Sequence, residues 1–147
     1  GMIVTSCFAP RWGTFHAALD IANPPSNPAD IIASDGGKVV MVRNGYGTPP
    51  LSGYGESVVI EHDNGYYTRY SHMKSGSIVV SEGDMVSKGD KLGVQGTTGS
   101  STGDHLDFGI GKELPPLITN AENPLKHFDI PAGVSNNAGC TPEQGYM

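Results

Sequence analysis

Ser57-Val-Val-Ile-Glu-His-Asp-Asn-Gly-Tyr-Tyr-Thr-Arg-Tyr-Ser-His72 holds two short runs of β-branched and aromatic residues, split by Asp63-Asn64-Gly65. Asn-Gly tolerates the positive φ angles of a tight primed turn, so Ser57–His62 and Tyr66–His72 are expected to form a hairpin. Similar runs lie on either side: Ile31–Ala33, Lys38–Arg43, Ser77–Val80, Lys91–Val94 and Asp104–Ile110. Each is bounded by glycine, asparagine, aspartate or serine, the punctuation of short strands. Between Ser81 and Val94, two Gly-Asp turns surround short apolar pieces, a pattern that suits strands crossing between packed sheets. The 21 glycines and 11 prolines are too many for a helical protein, yet they are spread between apolar runs rather than massed. The reading is a mainly β protein. After Ile110 the signals fade into a Leu114–Leu117 loop, a turn with a short helix starting at Asn123-Pro124, and a polar tail from Gly133 to Met147. That tail is expected to be ordered only by contacts with the rest of the chain. At 147 residues one domain is expected, with its core in 1–112 and an irregular extension of the same domain in 113–147.

A net charge of -6, with no late basic patch, argues against a nucleic-acid surface and against adsorption to anionic membranes. No apolar run approaches the roughly 20 residues that span a bilayer, so no membrane insertion is expected. The chain shows no signal peptide, but Gly1-Met2 reads as a cloning remnant, so this does not fix a compartment. Cys7 and Cys140 are compatible with free thiols or with one bridge. Oligomeric state is left open.

The chemistry concentrates in two places. In Gly99-Ser-Ser-Thr-Gly-Asp-His-Leu-Asp-Phe-Gly-Ile110, alternation along a strand puts His105 and Asp107 on one side. Leu106, Phe108 and Ile110 then seat the other side in a core. Upstream, His16 and Asp20 in Phe15–Ala22 are four apart, which suits one face of a helix or of a strand. Pro24-Pro25 closes the segment too early for a helix, so one short strand presenting both is expected. Imidazole and carboxylate are sound zinc ligands, and catalytic zinc sites take three protein ligands plus water. Asp107 is the natural third. A buried structural hydrogen bond is the plainer reading of His16 and Asp20 alone. His62, beside the turn, reads as a strand-end cap, and His127 as structural too. Trp12 and the tyrosines at 46, 54, 66, 67 and 70 could line a groove, or simply pack strands.

Taken together these residues resemble the lysostaphin-like zinc endopeptidases of bacterial cell walls. That family carries His-x-x-x-Asp early, Tyr-x-His-Leu in the middle and Ser-Thr-Gly-x-His-x-His-Phe late. Here the places are held by His16 and Asp20, by Tyr70-Ser71-His72-Met73, and by Ser101-Thr102-Gly103-Asp104-His105-Leu106-Asp107-Phe108. Asp35-Gly36-Gly37-Lys38-Val39, Gly53-Tyr54-Gly55 and Gly83-Asp84-Met85-Val86 also look alike, and the likeness covers roughly residues 3–112. It implies an antiparallel β-sheet fold, a barrel-sandwich hybrid, with the site in a groove between loops. It implies zinc held by His16, Asp20 and the position of Asp107, with His72 and His105 in catalysis.

Asp107 is the departure, because the family has histidine there. A shorter anionic side chain requires the metal or strand to shift, and two carboxylates cancel the ion's charge and weaken its pull on a water. Slower hydrolysis at neutral pH, or a site suited to another divalent ion, is therefore expected. The implied substrate is a peptidoglycan peptide, either cross-bridge or stem, cut by a metal-activated water. The implied location is the cell envelope or outside the cell, with a phage tail component as one variant. Two rivals remain: a degenerate family member that binds wall without cutting it, and a phosphotransfer or carrier domain. The last is disfavoured because Asp20 and Asp107 would repel an incoming phosphate.

Overall fold

The computed structural model describes residues 3–11, 14–16, 18–24, 26–101, 103–116, 121–128, 135, 136 and 138–144. Its strands are β1 (Ile3–Ser6), β2 (Ala9–Arg11), β3 (Thr14–His16), β4 (Leu19–Ala22), β5 (Asp30–Ile32), β6 (Gly37–Arg43), β7 (Glu56–Glu61), β8 (Tyr67–Met73), β9 (Met85–Val86), β10 (Lys91–Val94), β11 (Leu106–Gly111) and β12 (Ala121–Glu122). A 3-10 turn, Pro124–Lys126, follows; Asn123 caps it by accepting the Leu125 N–H. The main sheet runs β1-β4-β11-β8-β7-β6-β9, with β12 also on β11. Its pairings are all antiparallel. Two ribbons, β5–β10 and β2–β3, stand apart from it.

The hairpin read from Asn64-Gly65 is β7–β8, with Ile60 opposite Thr68 and Val58 opposite Tyr70. Alternation then sorts the sheet. Val58, Ile60, Tyr70 and Phe108 share a buried cluster with Ile31, Ala33 and Leu92 from the β5 and β10 region. Tyr70 and Phe108 meet at a centroid distance of 5.4 Å. The Tyr70 hydroxyl takes the Ser34 N–H at 3.0 Å and lies 2.9 Å from Thr68 Oγ1, which lies 2.7 Å from His62 Nε2. His62 Nδ1–H donates to Gly36 O at 2.8 Å, so this histidine serves the core, satisfying polar groups that burial would otherwise penalise. The opposite sheet face carries Val59, Arg69, Ser71, Asp107 and Asp20, and there the chemistry collects.

Two expected strands differ. Ser77–Val80 forms no regular ladder: Val79 N–H still reaches Leu92 O, but the Ser77 hydroxyl, not a main-chain carbonyl, takes the Val94 N–H. His16 and Asp20 do not share one strand. β3 ends at His16 in the small β2–β3 ribbon, while β4 starts at Leu19 in the main sheet, because their hydrogen-bonding partners belong to different sheets.

The tail is tied down. Val4 N–H donates to Ser135 O, Asn123 Nδ2 donates to the carbonyls of Thr141 and Gln144, and Cys140 is bonded to Cys7. That bridge joins the first and last described segments across 133 residues. Deleting a native bridge of this kind typically costs about 2–5 kcal/mol. We expect Cys140→Ser to lower the unfolding free energy in urea by that order, and reductant to shift the parent protein but not the variant.

Candidate functional site

Register builds the site. Asp107 on β11 stands opposite Asp20 on β4 and opposite Ser71 on β8, so the three share one face in a row. Ser57 continues the row, its hydroxyl donating to Ser71 Oγ at 3.2 Å. His16 reaches over from the neighbouring ribbon. Its Nε2 lies 3.2 Å from Asp20 Oδ1 and 3.4 Å from Asp107 Oδ2. His105, which precedes β11 and pairs through its N–H with Gly96 O, brings Nε2 to 3.7 Å from Asp20 Oδ2. The His72 and His105 rings are 5.0 Å apart. His16, Asp20 and Asp107 form one potential metal-binding group and His72, His105 and Asp107 another.

His72 arrives there against strand alternation. Alternation groups it with Thr68 and Tyr70, on the core side. Its backbone is instead left-handed, at φ 58°, which breaks the alternation after Ser71. His72 thereby joins the face of Arg69, Ser71 and Asp107, and Met73 drops into the core cluster. Strict alternation would put His72 away from Arg69 and Ser71, and this one torsion turns it to their side. Such a conformation costs an L-residue roughly 1–2 kcal/mol and is held here by neighbours. His72 N–H donates to Tyr54 O, its Nδ1–H donates to Thr98 O at 2.7 Å, and the Tyr54 ring stacks on it.

The histidines of the site share a device. His16 Nδ1–H donates to Cys7 O at 2.8 Å, His72 Nδ1–H to Thr98 O, and His105 Nδ1–H to Gly103 O at 2.7 Å. Each carbonyl fixes the ring and the tautomer, leaving Nε2 to face the others, as in metal and acid–base sites.

Arg69 is the functional-looking residue that the sequence reading passed over. It is almost wholly buried, and its Nη1 donates to Asp107 Oδ1 at 2.7 Å and to Ser71 Oγ at 2.8 Å. Nε donates to Pro116 O, and the guanidinium lies 4.3 Å from the Tyr54 ring centre. Gly109, opposite Arg69 in the ladder, makes the room: a Cβ there would sit 2.6 Å from Nη2. The available signals were a strand arginine in register with a glycine, and an even spacing from Ser71.

Electrostatics follow the packing. Burial opposes a charged His16, but hydrogen bonds and charge from Asp107 and Asp20 outweigh it and push the pKa up to about 9. Burial would raise Asp107, yet Arg69 and His16 hold it well below the usual carboxylate range. Burial pushes His72 below its ordinary value against the pull of Asp107, which favours a neutral ring. The donors also fit an ion. Ligand atoms about 2.0–2.1 Å from a tetrahedral zinc lie roughly 3.3–3.4 Å apart. The two His16–carboxylate separations, 3.2 and 3.4 Å, match such edges.

Of the candidate groove aromatics, Tyr54 lines the site, and Tyr46 bonds Ser100 in the adjoining loops. Tyr70 is core, while Tyr66 and Tyr67 bond Glu122 and Glu61 away from it. Trp12 and Thr102 lie outside the described residues.

Residues 14–121 match the model of Peptidase family M23. The chain belongs to that family. The family is one of peptidoglycan endopeptidases and is zinc-dependent in general, though relatives include a murein hydrolase activator. Peptidoglycan DD-endopeptidase ShyA of Vibrio cholerae is 41% identical over 105 residues, 71% of this chain and 21% of the relative. Murein hydrolase activator NlpD of Escherichia coli is 36% identical over 105 residues, 69% of this chain and 25% of that protein. The chain thus spans about a quarter or less of these relatives. The catalytic domain of lysostaphin from Staphylococcus simulans superposes with TM-score 0.71 at 23% identity, over 84% of this chain and 89% of that one, which shows the shared fold. The mainly antiparallel, lysostaphin-like architecture expected from the sequence is the one present; the main sheet is open, not a closed barrel.

The left-handed His72 can be tested by stability alone. We expect His72→Gly to unfold at higher urea than His72→Ala, by about 1 kcal/mol, because glycine meets φ 58° without a Cβ penalty.

Proposed function

We propose that this chain is a zinc-dependent endopeptidase domain that hydrolyses a peptide bond in peptidoglycan. His16, Asp20 and Asp107 hold the metal, and His72 and His105 serve the reaction. The observation that carries this reading is the convergence of histidines, each with Nδ1 fixed on a main-chain carbonyl, on two carboxylates, with the His16, Asp20 and Asp107 ligand atoms all within 4.8 Å of one another. Zinc, when bound, supplies Lewis acidity that polarises the scissile carbonyl and makes a water a competent nucleophile at neutral pH. His72 is buried with Nδ1 engaged, so its Nε2 lone pair suits it to take the water's proton. His105 is more exposed to the groove and lies beside His72, which suits it to the other role, a hydrogen bond to the oxyanion that develops on the former carbonyl. The buried row of Ser71 and Arg69 keeps Asp107 from rotating.

The peptide substrate places the work in the cell envelope or outside the cell. The Cys7–Cys140 bridge agrees, since such bonds persist in oxidising compartments. Among the described residues no helix is long and apolar enough to cross a membrane.

A second reading has its own support. Asp107 is already paired at 2.7 Å with a buried arginine, so it could be a structural ion pair in a wall-binding, non-cutting member of the family. The relative NlpD, a murein hydrolase activator by name, shows that family likeness does not by itself fix the activity.

Metal analysis separates the two. Protein purified without added zinc is expected to carry about one zinc per chain, lost in Asp107→Ala. His105→Ala is expected to keep the metal yet lower release of peptides from purified peptidoglycan by at least about 100-fold. Zinc-free parent protein, even after dialysis against zinc, would favour the binding module. Loss of metal in His105→Ala would mean ligand and catalyst have been exchanged.

A further inference from the structure

Arg69 touches neither substrate nor metal in the reaction just described, yet the fold makes costly room for it. It is buried against the metal-binding group, with Gly109 left bare to admit it and its fork divided among Asp107, Ser71 and Pro116. Asp20 and Asp107 together cancel the whole charge of a divalent ion, which removes the pull that acidifies a water. Catalytic zinc sites with two neutral histidines and one carboxylate leave one unit of that charge in place. We propose that Asp107 and Arg69 act as one unit: a neutral donor that offers a single oxygen to the metal.

Charge and geometry both support this. The guanidinium returns the unit of positive charge that Asp107 removes. It also occupies Oδ1 at 2.7 Å, so only Oδ2 faces His16, 3.4 Å away. A carboxylate held by one oxygen cannot close on the ion with both. That restriction matters for metal choice, since oxygen-rich and bidentate carboxylate sites suit manganese or magnesium, whereas imidazole sites suit zinc. Arg69 is thus a positioning residue that selects the metal through Asp107.

The inference rests on the metal-site reading above, and metal binding tests the two separately. Zinc and manganese dissociation constants are measured on metal-stripped protein by competition with a chromogenic chelator, after a cooperative thermal melt shows each form to be folded. The parent protein is expected to prefer zinc. Arg69→Met frees Oδ1 and is expected to move the zinc-to-manganese preference toward manganese by at least about tenfold. Asp107→His leaves the Arg69 cation uncompensated beside the ion and is expected to weaken zinc by at least about tenfold. Combining Asp107→His with Arg69→Met restores one neutral donor, and affinity is expected to return to within about threefold of the parent. The double variant leaves no buried carboxylate unpaired at position 107, so it stays informative if Arg69→Met alone does not fold. A double variant that binds zinc no better than Asp107→His, or an Arg69→Met protein with unchanged preference, overturns the paired-donor inference while the metal site stands. A parent protein that binds neither ion overturns the metal site itself.

Discussion

Asp20 and Asp107 stand directly opposite each other on adjacent buried strands, and two carboxylates cannot stay there without positive charge. Much of the surrounding structure answers that demand. His16 comes from a separate ribbon to touch both, Arg69 reaches along the same sheet face to bind one, and His105 leans toward the other. The carboxylates explain why so many polar groups crowd one face of a sheet whose other face is closed by Tyr70, Phe108 and Leu92. A divalent ion is the remaining kind of cation that the donor atoms can accommodate, and its binding would displace the proton that the raised pKa leaves on His16.

Much of this was legible in the chain. The Asn64-Gly65 hairpin, the strand carrying Asp107 just after His105, and the outward Asp107 with inward Phe108 all follow from alternation and turn chemistry. The first motif was legible as chemistry but not as structure. His16 and Asp20 meet across a break between two sheets, which spacing within one strand cannot reveal because ladder partners are non-local. The disulfide was equally closed to reading, since two cysteines 133 residues apart carry no local signal of proximity.

His72 shows the limit most clearly. Alternation assigns its side chain to the core, and a single positive φ turns it to the site and sends Met73 inward instead. Residue preference gives only a weak warning, because histidine is enriched at positive φ yet adopts it rarely. What holds the torsion is tertiary: Thr98 in one loop accepts from the ring, Tyr54 in another accepts from the backbone, and Gly55 and Gly99 let those loops touch. A Cβ on Gly55 would lie 2.4 Å from the Thr98 carbonyl, and one on Gly99 an equal distance from the Gly55 nitrogen. The glycines counted first as evidence against helices thus include ones that let two loops press a histidine out of its strand's phase.

The anchors of the site histidines connect these points. The rings are fixed by carbonyls from two segments: Cys7 before β2, and Thr98 and Gly103 in the loop before β11. A ring held from the main chain cannot swing to follow its partner, so the rings agree in position only if those segments agree. The Cys7 segment is fixed covalently to the tail through Cys140, while the Thr98 segment is fixed by glycine packing. The carboxylates, by contrast, stand opposite each other on adjacent strands of the main sheet, and Arg69 holds Asp107 in addition. The geometry of the candidate metal group is therefore divided between a part set on the sheet, Asp20 with Asp107, and parts whose placement depends on loop closure. Changes in distant loops should be felt first at His72 and His105, and last at the carboxylates.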